Sequence, residues 1–328
     1  MKPYAVVIGS MNCDTIYLQD RLPERGETYF ARSASIVPGG KGANQAVQLS
    51  KLGIKTYMVG KLGDDDYGRF LAREMSACGV DMSRVLTGRG TTGVAAVLTM
   101  PDGVYHSTVA PGTNYEMDPA ELDGLRELIS GAAVAVFQNE ITPSVTELGI
   151  RMAHEAGVYV ILNAAPARTI PEACMKLVDC LIVNESEASF YLGQTIDSVE
   201  RACQYAERLR SQTGGILVIT LGGSGSVLCT ADGCTHYPVD TSIKAVETTG
   251  SGDSYVGALA FMKANGLPDD AACRFASLVS QYTVTRIGGQ PAMPRWKDIA
   301  EAWKREELGN RTEETVLFTN IKTEVKTK

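Results

Sequence analysis

The most informative segment of this 328-residue chain is TTGSGDSYVG, Thr248–Gly257. Small residues and two glycines lead into one acid, Asp253, and an apolar helical pattern follows from Val256 to Met262. Such a turn exposes backbone N–H groups at a helix N-terminus, where the helix dipole also favours an anion. An acid at this place would repel the anion, so its presence indicates proton transfer beside a developing negative charge. The simpler alternative is that Asp253 only caps the helix.

Apolar strand-like runs alternate with helical patterns on the N-terminal side of this segment. The predicted strands are Tyr4–Ile8, Thr56–Val59, Ala133–Phe137, Tyr159–Leu162, Cys180–Val183 and Ile216–Thr220. The predicted helices are Gly42–Leu52, Tyr67–Cys78, Val145–Ala156, Val199–Arg210, Gly252–Ala264 and Asp270–Val284. This alternation predicts an α/β fold: a doubly wound, mostly parallel central sheet with helices on both faces.

Two regions interrupt the alternation. Thr15–Val37 and Thr92–Val109 are typical of short strands joined by turns, and the second contains the hairpin-type turn signal Pro101-Asp102-Gly103. We expect them to pair into a small β-sheet lid over the site, from lid segments at about residues 12–40 and 92–112. The α/β domain then spans residues 1–305. Residues 306–328 form a charged tail, either frayed or docked as a terminal strand on the body or on a partner subunit.

The composition excludes several classes of protein. With 44% hydrophobic and 21% charged residues, the chain can bury a sizeable core. A net charge of −7 and the absence of a Lys/Arg cluster argue against nucleic-acid binding. The apolar runs are strand-length and no signal peptide is evident, so we expect no membrane span. Eight scattered cysteines predict free thiols and a cytoplasmic location, and three dispersed histidines do not suggest zinc.

Polar residues follow four of the predicted strands at their carboxyl ends. These segments are Gly9–Asp14, Gln138–Glu140, Asn184–Glu187 and Leu221–Gly225. Because ligands of open α/β sheets bind at these strand ends, the four segments predict one polar cleft. A fifth segment, GGKGANQA at Gly39–Ala46, is not a Walker A loop, since no Ser or Thr follows Lys41. It either lets the backbone approach a polyol, with Lys41 and Asn44 donating hydrogen bonds, or is simply a glycine-rich helix start.

These motifs occur together, and in order, in one family. The matching segments are Ser10–Asp14 (SMNCD), Gly39–Gln45 (GGKGANQ), Gly63–Gly68 (GDDDYG), Asn163–Arg168 (NAAPAR), Asn184–Glu187 (NESE) and Thr249–Asp253 (TGSGD). With them the chain resembles the ribokinase-like (PfkB-type) sugar kinase family from about Tyr4 to about Trp303. The resemblance implies ATP-dependent phosphorylation of a primary hydroxyl on a small sugar, with the O5 of ribose as the leading acceptor. The alternatives are deoxyribose, fructose, a related ketose or a nucleoside.

The resemblance also implies roles for individual residues. Asp253 would accept the hydroxyl proton while the backbone N–H groups of Gly250, Ser251 and Gly252 hold the γ-phosphoryl group. The implied sugar contacts are Asn12, Asp14, Gly39, Gly40, Lys41, Asn44 and Glu140, together with Asp253. The implied nucleotide contacts are Asn184, Thr220, Gly222, Gly225, Gly252 and Ser277. Glu187 would organise Mg²⁺ through water, and the implied K⁺ site consists of Glu247, Thr249, Val284 and Gly289. A homodimer is implied as well.

Five positions depart from the family pattern. Glu247 stands where Asp is usual and Ala292 where a hydroxyl residue is common, so we predict a modest or absent rate response to K⁺. Tyr255 replaces the usual Phe, and Ser277 replaces a larger polar residue near adenine. Asn139 replaces an apolar residue beside Glu140, a change that could alter sugar choice.

Two hypotheses from other classes remain weaker. A non-catalytic sugar sensor would have no need of a base such as Asp253. An NAD-dependent dehydrogenase would carry G-x-G-x-x-G after its first strand, which this chain lacks.

Overall fold

The computed structural model describes residues 3–101 and 105–309. The strands in this part of the chain are β1 (Tyr4–Ile8), β2 (Asn12–Leu18), β3 (Ser33–Gly39), β4 (Lys55–Gly63), β5 (Val85–Gly88), β6 (Gly93–Thr99), β7 (Tyr105–Ala110), β8 (Val134–Gln138), β9 (Tyr159–Asn163), β10 (Cys180–Asn184), β11 (Ile216–Thr220), β12 (Ser226–Thr230) and β13 (Gly233–Tyr237).

The α-helices are α1 (Lys41–Leu52), α2 (Asp66–Ala77), α3 (Pro119–Asp123), α4 (Arg126–Ser130), α5 (Pro143–Glu155), α6 (Glu172–Met175), α7 (Glu185–Leu192), α8 (Val199–Arg210), α9 (Ser251–Ala264), α10 (Asp269–Val284), α11 (Gly289–Ala292) and α12 (Trp296–Gly309). Two 3₁₀ turns occupy Gly112–Tyr115 and Gly222–Ser224. No helix in the described ranges combines the length and apolar character needed to cross a bilayer.

The central sheet has the predicted doubly wound form. Its described strands lie in the order β13-β12-β11-β10-β9-β8-β1-β4-β5. All neighbours from β11 to β5 pair in parallel, and only β12 and β13 pair antiparallel at one edge. The parallel strands therefore end along the same edge, where their polar loops can meet.

Both faces of this sheet are covered by helices. In β1, Ala5 and Val7 belong to a core cluster with α1, α9 and α10, whereas Val6 and Ile8 belong to a second cluster with α5 and α8. All four side chains are fully buried. Burial on both faces explains why β1 is a continuous apolar run rather than an alternating one. The fold class predicted from the sequence is confirmed.

A second, four-stranded sheet lies apart from the first, in the order β3-β2-β6-β7. It is built from the two regions that interrupted the strand–helix alternation, as the lid prediction required. β6 and β7 pair antiparallel up to Thr99 and Tyr105. Of the predicted turn Pro101-Asp102-Gly103, the last two residues lie outside the described residues.

The end of the predicted domain is helical. Helix α12 continues to Gly309, four residues past the expected boundary at 305, and its Trp303 packs edge-on against Phe275 of α10 with ring centroids 5.1 Å apart. The rest of the predicted tail, residues 310–328, lies outside the described residues. The domain limits therefore stay a prediction.

Candidate active site

The site begins at the N-terminus of α9. Gly250 precedes this helix with φ +78°, a conformation that glycine adopts without strain, and no side chain caps the helix. The Ser251 N–H donates to Thr248 O at 3.1 Å, whereas the N–H groups of Gly250 and Gly252 donate to no other described residue. A Cβ built on Gly252 would meet no described heavy atom within 4 Å. This turn therefore has both open space and backbone N–H groups that are free to bind an anion.

Helix α1 lies close against α9 and brings its own polar residues to the same place. Gly257 makes this approach possible, because a Cβ there would lie 2.7 Å from Gln48 Cβ. One turn towards the N-terminus of each helix, the Asn44 amide donates to Asp253 Oδ2 at 2.8 Å and the Gln45 amide to Asp253 Oδ1 at 2.9 Å. The capping alternative for Asp253 is wrong, since its carboxylate is directed to α1.

The environment of Asp253 has opposing effects on its charge. Burial raises the pKa of this carboxyl group above its usual range, while the Lys41 ammonium and the two amide donors oppose the rise. A raised pKa makes the carboxylate a stronger base towards a hydroxyl group than an exposed aspartate would be. The amide donors favour its ionised form and fix its orientation.

An ion pair lies at the start of α1. Glu140, which follows β8, accepts hydrogen bonds from Ser10 Oγ at 2.5 Å and from the Lys41 N–H at 3.1 Å. The Lys41 ammonium lies 3.4 Å from Glu140 Oε1. Burial alone would lower the pKa of Lys41, but the surrounding carboxylates, Glu140 first among them, outweigh it and keep the ammonium charged.

Asp14 of the lid strand β2 faces the same cleft. A Cβ on Gly39 would lie 2.0 Å from Asp14 Oδ2, so only glycine leaves room for this carboxylate. Its Oδ1 is buried and has no hydrogen-bond partner among the described residues. Burial raises the pKa of Asp14 to about 7, and the charges of Glu140 and Asp253 add to the rise. A carboxylate oxygen that is buried without a donor is suited to accept a hydrogen bond from a ligand's hydroxyl group.

Asn12 and Gly40 complete the group of predicted sugar contacts. Gly40 has φ +88°, and a Cβ there would lie 2.7 Å from the Asn12 backbone nitrogen, so glycine is required. Asn12 is 3% exposed, and its Oδ1 accepts from the Asn114 amide at 2.8 Å. The structure thus brings together in one cleft the sugar contacts that the resemblance implied.

The predicted nucleotide contacts lie along the neighbouring strand ends. Asn184 and Glu187 form a capping box at the start of α7, in which the Asn184 side chain accepts from the Glu187 N–H and the Glu187 side chain from the Asn184 N–H. Burial raises the pKa of Glu187, and the Asn184 N–H and Lys41 oppose this. Oxygen donors of this kind suit Mg²⁺. No group of three or more His, Cys, Asp or Glu is placed to hold a metal in residues 3–101 and 105–309.

Thr220 ends β11, and a 3₁₀ turn follows at once. Gly222 has φ +49° and Gly225 φ +91°, and a Cβ on Gly225 would lie 2.0 Å from Tyr237 O. Ser277 is 8% exposed and lies on α10, the helix that packs on β12 and β13. Ser277 therefore lies on a different element from the Gly222–Ser224 turn.

Two of the four predicted K⁺ ligands, Glu247 and Val284, accept hydrogen bonds from protein N–H groups. Glu247 Oε2 accepts from the Gly288 N–H at 2.7 Å, and Val284 O accepts from the Val246 and Glu247 N–H groups. A Cβ on Gly289 would lie 3.6 Å from Thr249 Cγ2, so the two predicted loops do touch.

Two departures from the family pattern have a local explanation. The Tyr255 hydroxyl lies 3.0 Å from Ser226 Oγ of β12, so the extra oxygen of Tyr over Phe has a buried partner. Asn139 donates to Pro166 O at 2.9 Å and accepts from Arg168 Nε at 3.1 Å. Both ends of its amide are thus engaged next to Glu140, so any effect of Asn139 on sugar choice would pass through Glu140.

Sequence reasoning assigned no role to three residues of this site. Asn114 accepts from the Met11 N–H at 2.9 Å, Gln138 donates to Gln45 at 2.6 Å, and Gln290 donates to Asn44 at 3.0 Å. The only available signal was an amide at a strand end or in a glycine-rich turn, which many surface residues share.

Comparisons with known proteins agree with this geometry. A family model described as pfkB family carbohydrate kinase matches residues 2–296. Ribokinase of Bacillus subtilis is 32% identical over 295 residues, which cover 90% of this chain and 97% of that protein. Ribokinase of Mus musculus is 32% identical over 299 residues, covering 90% and 93%.

The likeness extends to solved structures. Arabidopsis thaliana ribokinase complexed with ribose and ATP has a TM-score of 0.85 and 30% identity, covering 93% of this chain and 99% of that one. The chain belongs to the pfkB family of carbohydrate kinases.

Proposed function

We propose that this protein is an ATP-dependent sugar kinase that phosphorylates the O5 hydroxyl of D-ribose. One observation carries the proposal: the partly buried Asp253 carboxylate lies in the first turn of α9, beside the free N–H groups of Gly250 and Gly252. A base and an anion-binding turn next to each other are what phosphoryl transfer to an alcohol needs. The identities to ribokinases of other organisms support ribose as the acceptor.

The proposed reaction uses each part of the cleft. Asp14, Lys41, Glu140 and the Gly39–Gly40 backbone bind the sugar hydroxyls, and Asn44 orients the base. Asp253 accepts the proton of the acceptor hydroxyl, whose oxygen bonds to the γ-phosphorus as the bond to the β–γ bridging oxygen breaks. The N–H groups at the start of α9 stabilise the charge on the transferred group. Positioning and charge stabilisation supply most of the rate enhancement in such transfers.

The nucleotide would lie along Thr220–Gly225 and Asn184, with Ser277 on the opposite helix. Glu187 would hold Mg²⁺ through water, because it is a buried carboxylate whose Oε2 alone is engaged, by the Asn184 N–H. When bound, Mg²⁺ neutralises charge on the phosphate oxygens. Glu247, Thr249, Val284 and Gly289 form the proposed K⁺ site, with the weak response expected above. A cytoplasmic location fits the eight free cysteines.

The test is an ATP-consumption screen of the purified protein over ribose, deoxyribose, fructose, common ketoses and nucleosides. We expect the highest kcat/KM with ribose. A clear preference for another acceptor would replace ribose, and no turnover with any acceptor would contradict the kinase assignment.

The variant Asp253→Asn tests the base directly. We expect kcat to fall by roughly 10² to 10⁴, the usual contribution of a general base, while ribose binding survives in calorimetry. The control is Asp269→Asn, which alters an aspartate paired with Lys263 at the start of α10. Near-normal turnover of Asp253→Asn would remove Asp253 from this role.

A further inference from the structure

The Asp253 carboxylate is held by a chain of buried side-chain amides that reaches across the sheet edge. Gln138, the last residue of β8, donates from Nε2 to Gln45 Oε1 at 2.6 Å. Gln45 in turn donates from Nε2 to Asp253 Oδ1 at 2.9 Å and to Asn163 Oδ1 at 3.0 Å. Gln45 and Gln138 are fully buried, so neither amide has water as an alternative partner.

The direction of every hydrogen bond in this chain is fixed by the charge at its end. An ionised carboxylate can only accept, so Gln45 must present its NH₂ group to Asp253. Its oxygen then faces Gln138, which must also present NH₂. Asn163 is consistent with this order, because its oxygen faces Gln45 while its own NH₂ donates to Ile182 O at 3.3 Å. The amide directions in the structure are therefore those that an ionised Asp253 requires.

This arrangement leaves one buried polar atom unsatisfied. Gln138 Oε1 has no hydrogen-bond partner among the described residues. A Cβ on Gly9 would lie 1.8 Å from it, so position 9 must be glycine for Gln138 to hold this orientation. An unsatisfied buried oxygen costs stability. The protein therefore accepts a loss of stability at Gln138 Oε1 in the orientation that directs the Gln138 NH₂ group to Gln45.

We propose that Gln45 and Gln138 are positioning residues for phosphoryl transfer, which keep the Asp253 carboxylate ionised and aimed at the acceptor hydroxyl. The inference rests on the proposed function, in which Asp253 is the base. Gln45 acts on Asp253 directly, whereas Gln138 acts only by holding Gln45.

Other charged groups also face Asp253 and set the background for its titration. They are Lys41 of α1, Glu140 after β8, Asp14 of β2 and Glu187 of α7. None of them is changed by substituting Gln45 or Gln138, so a shift in titration between variants reports the amide chain. Since the amides favour the ionised form, their loss raises the pKa of Asp253. The acid limb of the pH–rate profile, where the rate falls as Asp253 is protonated, then moves to higher pH.

The experiment measures the single-turnover rate of phosphoryl transfer against pH, with saturating ATP–Mg²⁺ and the acceptor found in the screen. For Gln45→Leu we expect the acid limb to move up by about one to two pH units, as for loss of a hydrogen bond to a charged group. We also expect the plateau rate to fall roughly tenfold to a hundredfold from misplacement of the base.

Gln138→Leu should shift the acid limb in the same direction by a smaller amount. The double variant Gln45→Leu/Gln138→Leu should shift it no further than Gln45→Leu alone, because Gln138 acts through Gln45.

The matched control is Gln48→Leu. Gln48 is an equally buried glutamine one turn further along α1, and it donates to Pro294 O instead of Asp253. Gln48→Leu should lose about as much stability as Gln45→Leu, but its acid limb should stay at the native pH.

An unchanged acid limb in Gln45→Leu overturns the inference even if the rate falls, because a merely structural role predicts that result. Fully additive shifts in the double variant remove Gln138 from the chain. If Gln45→Leu does not fold, the shift in Gln138→Leu decides. A ¹³C NMR titration of the Asp253 carboxyl, assigned with Asp253→Asn, provides the same readout without turnover. It therefore separates failure of this inference from failure of the kinase assignment.

Discussion

Asp253 and Asp14 lie in one cleft but differ in the hydrogen-bond donors around them. Asp253 has an amide donor on each oxygen, from Asn44 and Gln45. Asp14 has a buried oxygen for which the described residues offer no donor. Partial burial, with neighbouring carboxylates adding to it, raises the pKa of each carboxyl group. The donors stabilise the charge of Asp253 within the protein, whereas the charge of Asp14 requires the hydroxyl groups of a ligand.

Sugar binding should therefore depend on pH through Asp14. With its pKa raised to about 7, Asp14 is mostly protonated at pH 6 and mostly ionised at pH 8. We expect KM for the sugar to rise as the pH falls below 7. In Asp14→Asn this dependence should vanish and KM should be high throughout. A native KM that is flat between pH 6 and 8 would contradict the role of Asp14.

The same shift has a consequence for stability that needs no substrate. Because the folded protein holds the Asp14 proton more tightly than the unfolded chain does, stability from this group falls as the pH rises from about 4 to about 7. Asp14→Asn should thus raise Tm by a few degrees at pH 8 and by a smaller amount at pH 5. The control is Asp232→Asn in the exposed turn between β12 and β13, which should leave Tm unchanged at both pH values.

At the scale of helices and strands, the sequence was sufficient where a pattern is local. The alternation of apolar runs and helical periods predicted the strands β1, β4, β8, β9, β10 and β11 and the helices α1, α2, α5, α8, α9 and α10, because burial on one or two faces imposes those periods. Strands β5, β12 and β13 were not predicted. Strands β5 and β13 lie at the two edges of the sheet, where partial exposure weakens the apolar signal. Strand β12, next to β13, is buried but only five residues long.

The cleft was predictable only in part, for the same physical reason. The glycine turns and acids at strand ends carry their own signals, so the places of Asp14, Glu140 and Asp253 could be expected. The partners that orient them could not, because the Gln138–Gln45 contact joins residues 93 positions apart. Nothing in the local sequence distinguishes a glutamine that will be buried against a carboxylate from one on a surface.

The first turn of α9 allows a test that separates folding from catalysis. Gly252 lies in a helical conformation with open space at its Cβ position. Alanine is a better helix former than glycine by about 0.5–1 kcal/mol, so Gly252→Ala should retain or raise Tm. The added methyl group would project into the space proposed for the phosphoryl group. We expect kcat to fall on the order of 10², as when one anion-hole donor is lost.

The control for this variant is Gly124→Ala, at the end of α3 and far from the cleft. A Cβ at Gly124 has ordinary contacts, the nearest at 3.4 Å from Glu121 O. It should leave both kcat and Tm close to native values. A Gly252→Ala enzyme with normal kcat would place the phosphoryl group elsewhere.

The loop from Gly288 to Met293 is held by two groups of this chain. The Glu247 carboxylate accepts from the Gly288 N–H, and the buried Lys51 ammonium donates to Gln290 O at 2.6 Å and Met293 O at 2.9 Å. A loop that is already fixed by these contacts gains little from a bound ion. We expect the rate to differ by less than about fivefold between K⁺ and tetramethylammonium at equal ionic strength, the low end of coupling between two sites.

Glu247→Asp provides the comparison, because the shorter side chain reaches Gly288 less well and restores the acid typical of the family. Its rate should respond more strongly to K⁺ than the native rate, and K⁺ should raise its Tm more. Strong activation of the native protein by K⁺, but not by tetramethylammonium, would contradict this expectation. It would show that the Glu247 carboxylate releases the Gly288 N–H to bind K⁺.

On the scale of the whole molecule, the lid carries much of the exposed apolar surface. Of the ten large hydrophobic residues that are exposed in the described part of the chain, five lie on the first two lid strands and their connection or on β7: Leu18, Leu22, Phe30, Ile36 and Val109. Ile36 is 54% exposed on β3, at an edge of the four-stranded sheet. Exposed apolar residues that are concentrated on one small sheet and its connection mark an interaction site more often than a solvated face.

A second copy of the chain is the proposed partner for this surface, as the family resemblance implied. We expect light scattering to give a dimer at micromolar concentration, and Ile36→Lys to shift it to monomer, because a charge in an apolar interface is costly to bury. Phe190→Lys is the control, since Phe190 is 52% exposed on α7, away from the lid. A native monomer, or equal dissociation by both variants, would contradict association through the lid. Because Asp14 lies on β2 of the same sheet, dissociation should also raise KM for the sugar while leaving the Asp253-dependent step intact.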